Sequence, residues 1–361
     1  MGNTFKPITD KETFSIQLGD ICAGISSMQG CRREMEDGHI HEIIDQDHLL
    51  LGVFDGHGGI GCVQYVCGII NPQTGRPFFE DTKDLVQILK ETDEFKQYVR
   101  EGKKNINLLE KAMTNTFIQI DKQMKDYLEK PDNHFKGYTF GGCTGCVVIV
   151  TPDYIMCANA GDSRATMSNI GSQQIELSKD HKPENEVEST RIQSAGGYVQ
   201  HGRVDGNLAV SRGLGDFEFK DNFDKEASEQ KVSCVPEFII KERKLLEEEM
   251  IIIACDGLWD VFSNDEAINE VRQIFSEGET DIRLVAEEML DKSLDKGSTD
   301  NISAIVIKFP NVIIGNSGNG GGVKERREKK AEQERLEKLA KEQTEQAEQA
   351  RLAKVKDTKN D

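Results

Sequence analysis

At 361 residues, with 37% hydrophobic and 30% charged side chains, the chain has the length and composition of one large globular domain or two modest ones. A formal charge of −19 argues against nonspecific attraction to nucleic-acid phosphates and favours protein partners or metal ions; no run of about 18 apolar residues is present to cross a bilayer. Nine cysteines, an odd number scattered among apolar neighbours with no secretory segment ahead of them, point to a reducing compartment. The expected location is cytoplasmic, with nuclear or membrane-associated locations as alternatives.

Residues 1–19 read as an N-terminal segment. Gly2 in Met1-Gly2-Asn3-Thr4 invites acylation and peripheral membrane contact, but Lys6 stands where that motif takes Ser or Thr, so a plain start is an equal reading. Residues 20–312 carry dense hydrophobic periodicity and form the folded body. Within it, short β-rich runs predict strands at Leu49–Phe54, Cys146–Val150, Tyr154–Ala158, Met250–Ala254 and Ile302–Phe309. Helices are predicted over Asn107–Leu128, Ala267–Phe275 and Leu284–Leu294. Tight turns such as Thr151-Pro152-Asp153 favour antiparallel pairing, hence a mixed fold with sheet packed on sheet.

The polar stretch 71–104 predicts an inserted loop or a small surface helix, and 221–230 looks similar. Residues 313–323 contain Asn316-Ser317-Gly318-Asn319-Gly320-Gly321-Gly322, which predicts a flexible linker. The tail 324–361 is charged and rich in helix formers; its thin apolar stripe favours a solvated or frayed helix over a helix that binds a protein partner, the alternative role.

Three apolar runs end alike, in Val53-Phe54-Asp55-Gly56, Ala158-Asn159-Ala160-Gly161-Asp162 and Ala254-Cys255-Asp256-Gly257. Asp300 stands just before the last predicted strand, and Glu36-Asp37 follow a loop at Gly30. Taken singly, an Asp-Gly pair is usually a turn. Repeated at strand exits, such pairs would gather carboxylates whose charge needs cations, and oxygen ligands suit Mg²⁺ or Mn²⁺. His57, beside Asp55 and flanked by glycines, is a candidate for proton transfer, and Arg32 or Arg33 for holding a phosphate; each also has a plain structural or surface reading. Cys143 and Cys146 make one CxxC with no second pair at zinc spacing, which favours core residues over a metal or redox site.

Together these segments resemble the type 2C metal-dependent serine/threonine protein phosphatases. The resemblance is carried by Gly30-Cys31-Arg32-Arg33-Glu34-Met35-Glu36-Asp37, Phe54-Asp55-Gly56-His57-Gly58-Gly59, Gly142-Cys143-Thr144, Ala160-Gly161-Asp162-Ser163-Arg164-Ala165, Asn207 to Asp216, Ala254 to Asp260, and Asp300-Asn301, in the family's order. It implies an α+β fold, a central sandwich of two antiparallel β-sheets flanked by α-helices on both outer faces, with a flap near 177–199.

It further implies two Mn²⁺ or Mg²⁺ ions, bridged by Asp55, with Glu36 and the Gly56 carbonyl on one and Asp256 and Asp300 on the other. Asp162, Asp256 and Asp260 match a third, weaker metal position. Asp37 looks like the carboxylate that orients metal-bound waters, Thr144 the active-site threonine, Arg32 the phosphate-binding arginine and His57 the general acid. The implied reaction is hydrolysis of phosphoserine or phosphothreonine in proteins by a water bridging the two metals, without a covalent phospho-enzyme.

Cys31 stands where the family commonly has Trp, and Gly213 where Ala is frequent; both leave the ligands intact. The alternative is an inactive relative serving as a binding or regulatory module. Loss of a ligand carboxylate would signal it, and Glu36, Asp55, Asp256 and Asp300 are all present.

Overall fold

The computed structural model describes residues 6–79, 81–130, 140–171 and 174–316, and residues 322–333, 335, 336, 339 and 340 of the tail. Eleven strands build the two main sheets: β1 (Ile8–Leu18), β2 (Ile21–Gly30), β3 (Gly38–Asp45), β4 (His48–Phe54), β5 (Gly145–Val150), β6 (Tyr154–Ala160), β7 (Arg164–Asn169), β8 (Gln174–Glu176), β9 (Glu237–Glu242), β10 (Glu248–Ala254) and β11 (Ile302–Lys308). One sheet runs β1-β2-β11-β10-β7-β8 and the other β9-β6-β5-β4-β3, every pairing antiparallel.

The apolar runs are continuous because both faces of the central strands are covered. In β4, Leu49, Leu51 and Val53 face the other sheet and join Val148, Ile251, Ile253, Ile305 and Ile307 in the inner core. Leu50 and Phe54 point the opposite way, into a second core under α1 (Gly61–Val66), α2 (Leu85–Glu91), α3 (Asp93–Arg100) and α4 (Ile106–Leu128). Across the sandwich, beyond α5 (Glu186–Ser194) and α6 (Asp256–Trp259) in chain order, Met250, Ile252 and Val306 pack outward against α7 (Asn264–Ser276) and α8 (Ile282–Asp295). The α+β sandwich with helices on both outer faces is therefore the fold.

The predicted strands and helices form within one to three residues of their expected ends. The stretch 71–104 holds two helices rather than a loop or a single surface helix. Asp84 and Gln87 make a capping box for α2, Thr92 caps α3, and Leu85, Ile88, Leu89, Phe95 and Tyr98 are buried. Residues 8–18, within the N-terminal segment, supply the edge strand β1. In the tail, 323–333 are helical: Val323 joins the α7–α8 core, Arg326 pairs with Glu277 and Glu288, and Arg327 with Glu287 and Asp291. Gly2 and residues 341–361 lie outside the described residues.

Candidate metal centre

Antiparallel register brings the ends of β4, β6 and β10 and the start of β11 to one edge of the sandwich, so the acids that follow or precede them meet there. Asp55, Asp162 and Asp256 offer carboxylate oxygens that all lie within 4.8 Å of one another. Asp37, Asp55 and Cys255 form a second group of the same size, so Asp55 belongs to both. Cys255 is already engaged: its thiol donates to the Asn301 carbonyl and its sulfur accepts the Ser303 N–H. That group is in effect a pair of carboxylates.

Asp55 is held from its backbone. Its N–H donates to Thr144 Oγ1 at 3.0 Å, its carbonyl accepts the Thr144 N–H at 2.9 Å, and Thr144 Oγ1 lies 2.6 Å from Ser163 Oγ. The carboxylate is thereby left free of structural duty. At Gly56 a Cβ would come within 2.1 Å of the Glu36 carbonyl oxygen, so the chain can pass beside Glu36 only as glycine.

Glu36 Oε1 accepts the Gly59 N–H at 2.7 Å, and Asp300 Oδ2 takes the Arg32 guanidinium at 2.5 Å. Both carboxylates lie outside the two close groups, as does Asp260. Asp162 pairs with Lys182. Among the described residues, no Lys or Arg hydrogen-bonds to Asp55 or Asp256.

The electrostatic consequence is large. Burial first, then the charges of Asp256 and Asp300, push the Asp37 carboxyl up to about 7. Burial, then Asp162 and Asp300, lift Asp256 to about 6. Asp55 is raised well above the carboxylate range by burial and by Asp37, Asp256 and Asp162. Asp260 is raised by burial, with Lys182 pulling the other way. Asp37 Oδ2 is buried without a hydrogen-bond partner. An all-oxygen donor set, an orphaned carboxylate oxygen and clustered acids without a guanidinium or ammonium on the central pair fit hard divalent cations.

His57 lies on the same edge. Gly56–His57 pairs with Gly142–Cys143, which pairs in turn with Leu214–Gly215, and His57 Nε2 is 2.8 Å from Asp216 Oδ2. Burial alone would lower the ring's pKa, but the hydrogen bond and charge of Asp216, with Asp162 and Glu36 behind it, raise it.

The chain matches the family described as Protein phosphatase 2C across residues 22–302. It belongs to that family. It is 36% identical over 310 residues to Protein phosphatase 1A of Homo sapiens, covering 85% of this chain and 75% of that one. It is 35% identical over 319 residues to Protein phosphatase ppm-1.A of Caenorhabditis elegans, covering 84% of this chain; the chain spans only 63% of that relative's length. A solved phosphatase structure from Toxoplasma gondii shares the fold, with a TM-score of 0.66 at 23% identity over 84% of this chain and 96% of that one. As a member of the protein phosphatase 2C family, the chain is a metal-dependent protein serine/threonine phosphatase.

Three further residues at this edge take their place only from the fold. Asp216 ends the family-like stretch at Asn207, and only the fold shows it reaching His57. Lys182 lies in the flap segment and meets Asp162. Asn301 accepts the Glu36 N–H and donates to the carbonyls of Gln29 and Glu34, pinning the Arg32–Glu36 loop. Its place next to Asp300 was the one available signal.

Proposed function

We propose that the protein hydrolyses phosphoserine and phosphothreonine esters of proteins by direct attack of water on phosphorus at this edge, with no covalent phospho-enzyme. The observation that carries the reading is the shared position of Asp55 in two close acidic groups, one with Asp37 and the other with Asp162 and Asp256, in which Asp37 and Asp256 are both raised. Asp55 would bridge two Mn²⁺ or Mg²⁺ ions, with Glu36 and the Gly56 carbonyl serving one and Asp256 and Asp300 the other; Asp162 and Asp260 would serve a third, weaker ion. Bound there, divalent cations supply a water acidified towards neutral pH and charge to offset the phosphoryl oxygens.

The remaining work belongs to side chains. Arg32 is half exposed at this edge, on Asp300, and would turn its fork to the phosphoryl group. Asp37 would orient waters from behind, and Thr144 would keep Asp55 in register. His57 would give its proton to the departing seryl or threonyl oxygen as the P–O ester bond breaks and the bond from water to phosphorus forms. Phosphorylated proteins are the substrates on this reading.

The test is release of phosphate from a phosphothreonine peptide with Mn²⁺ or Mg²⁺, with and without chelator. Turnover should require metal and vanish in Asp256→Asn. Undiminished turnover in chelator would contradict the proposal.

A further inference from the structure

The Asp216 carboxylate that meets His57 stands on an unusual piece of backbone. Gly215 has φ +76° and Asp216 φ +49°, the left-handed region that non-glycine residues seldom occupy. Space there is also tight: a Cβ on Gly142 would fall 2.1 Å from Asp216 Oδ2, and one on Gly215 would fall 2.5 Å from the Gly141 carbonyl. Such a turn persists only where its surroundings hold it.

What holds it is a buried ion pair that the chemistry above does not use. Asp121 projects from α4, and its Oδ1 accepts both the Gly215 N–H at 2.8 Å and the Lys220 ammonium at 2.7 Å. Lys220 Nζ also donates to the Gly213 carbonyl at 2.9 Å, so it ties the turn from the other side. Both side chains are almost fully buried. A buried ion pair is a costly way to stabilise a fold, since well-packed apolar residues often serve as well or better. Here the pair grips the two residues flanking Leu214, immediately before Asp216. His57 and Asp216 together line an open cavity of about 400 Å³, so the ring is reachable from solvent.

We propose that Asp121 and Lys220 are positioning residues: they clamp the 213–216 turn so that Asp216 holds His57 Nε2 and leaves Nδ1 to meet the leaving oxygen. This rests on the reading of His57 as the proton donor. In that step the bond from phosphorus to the seryl or threonyl oxygen breaks, and the electron pair left on oxygen takes the proton from the ring. Donation matters for an alkoxide and hardly at all for nitrophenolate, which leaves without a proton. Misplacing the donor should therefore separate the two kinds of substrate.

The test uses the full-length, Mn²⁺-loaded protein with a phosphothreonine peptide and with p-nitrophenyl phosphate. The double variant Asp121→Leu/Lys220→Met removes both buried charges together. Its kcat on the peptide should fall about tenfold or more, with KM little changed, while p-nitrophenyl phosphate turnover falls less than about threefold. Adding His57→Ala to the double variant should cost little more on the peptide. Equal losses on both substrates, or no loss on either, would overturn the proposal.

His57→Ala alone separates this inference from the reading beneath it. If that variant loses both substrates equally, the proton-donor reading fails and the clamp falls with it. If it shows the substrate split and the double variant does not, only the clamp fails. Should the double variant not fold, Asp121→Asn keeps an acceptor for the Gly215 N–H while removing the charge that anchors Lys220, and its two kcat values decide by the same criterion.

Discussion

Glu188, in α5 (Glu186–Ser194) of the flap, and Asp37, in the cleft, are both buried carboxylates, and the protein treats them in opposite ways. Glu188 accepts from Arg212, Arg191 and Ser211, each at 2.6 Å. Burial alone would raise it, but the two guanidinium groups and the serine hydroxyl hold it at about 2. Asp37 keeps an oxygen with no partner and rises to about 7. Glu249 with Arg272 and Glu248 with Arg243 follow the flap's pattern. Ionised groups taken from water cost several kcal/mol each unless something offsets them. In the flap the chain supplies the cation itself; at the acidic edge it supplies none to Asp55 or Asp256, and on the proposed reading an ion from solution provides the offset.

The widest separation between the regions should come from Asp55→Ala. Activity should drop by roughly 10³-fold or more in a phosphopeptide assay, because the shared ligand is gone. Thermal melting of the metal-free variant should nonetheless match or exceed that of wild type, since a crowded charge has been removed. Arg212→Met should do the reverse, costing about 1.5–3 kcal/mol in denaturant unfolding by leaving Glu188 to Arg191 and Ser211 alone, with Mn²⁺ affinity little altered. A stable Arg212→Met would show that the flap pair is not the counterpart it is taken for.

Asp37→Asn keeps the shape and removes one charge, and calorimetry should find Mn²⁺ bound about 10–100-fold more weakly. The smallest effect is protonic. Asp37 and Asp256 are raised above their unfolded values, so the metal-free fold binds protons more tightly than the unfolded chain. Its stability should fall as pH rises through about 4 to 7. Glu188 is lowered, so its contribution is full above about 4.5 and is lost as pH falls from there towards about 2, which leaves it silent over most of that window. Metal binding should therefore release more protons at pH 6, about one to two from Asp37 and Asp256 alone, than at pH 8, as read by calorimetry in buffers of different ionisation enthalpy.

The inner strands were legible in sequence because burial on both faces leaves unbroken apolar runs such as Leu49–Phe54 and Met250–Ala254. Their acidic exits were legible for the same reason, since a carboxylate directly after such a run stands out. The edge strand β1 was not, because only one of its faces is covered and Thr9 to Glu12 are polar. Nor was β2, where Gly24, Ser26 and Ser27 replace the expected large residues. Within 71–104 the apolar residues at helical spacing were outnumbered by charges. Long-range partners leave no local trace: nothing near Asp216 in sequence points to His57, and Asp121 reads as one more polar residue on α4.

On this reading the clustered acids around Asp55 are an ion site and the flap acid is not. Anomalous difference maps from crystals grown with Mn²⁺ test it directly. Two strong peaks are expected, each within about 2.0–2.3 Å of an Asp55 carboxylate oxygen, and none beside Glu188. Maps with no peak at Asp55 under saturating Mn²⁺ would contradict it.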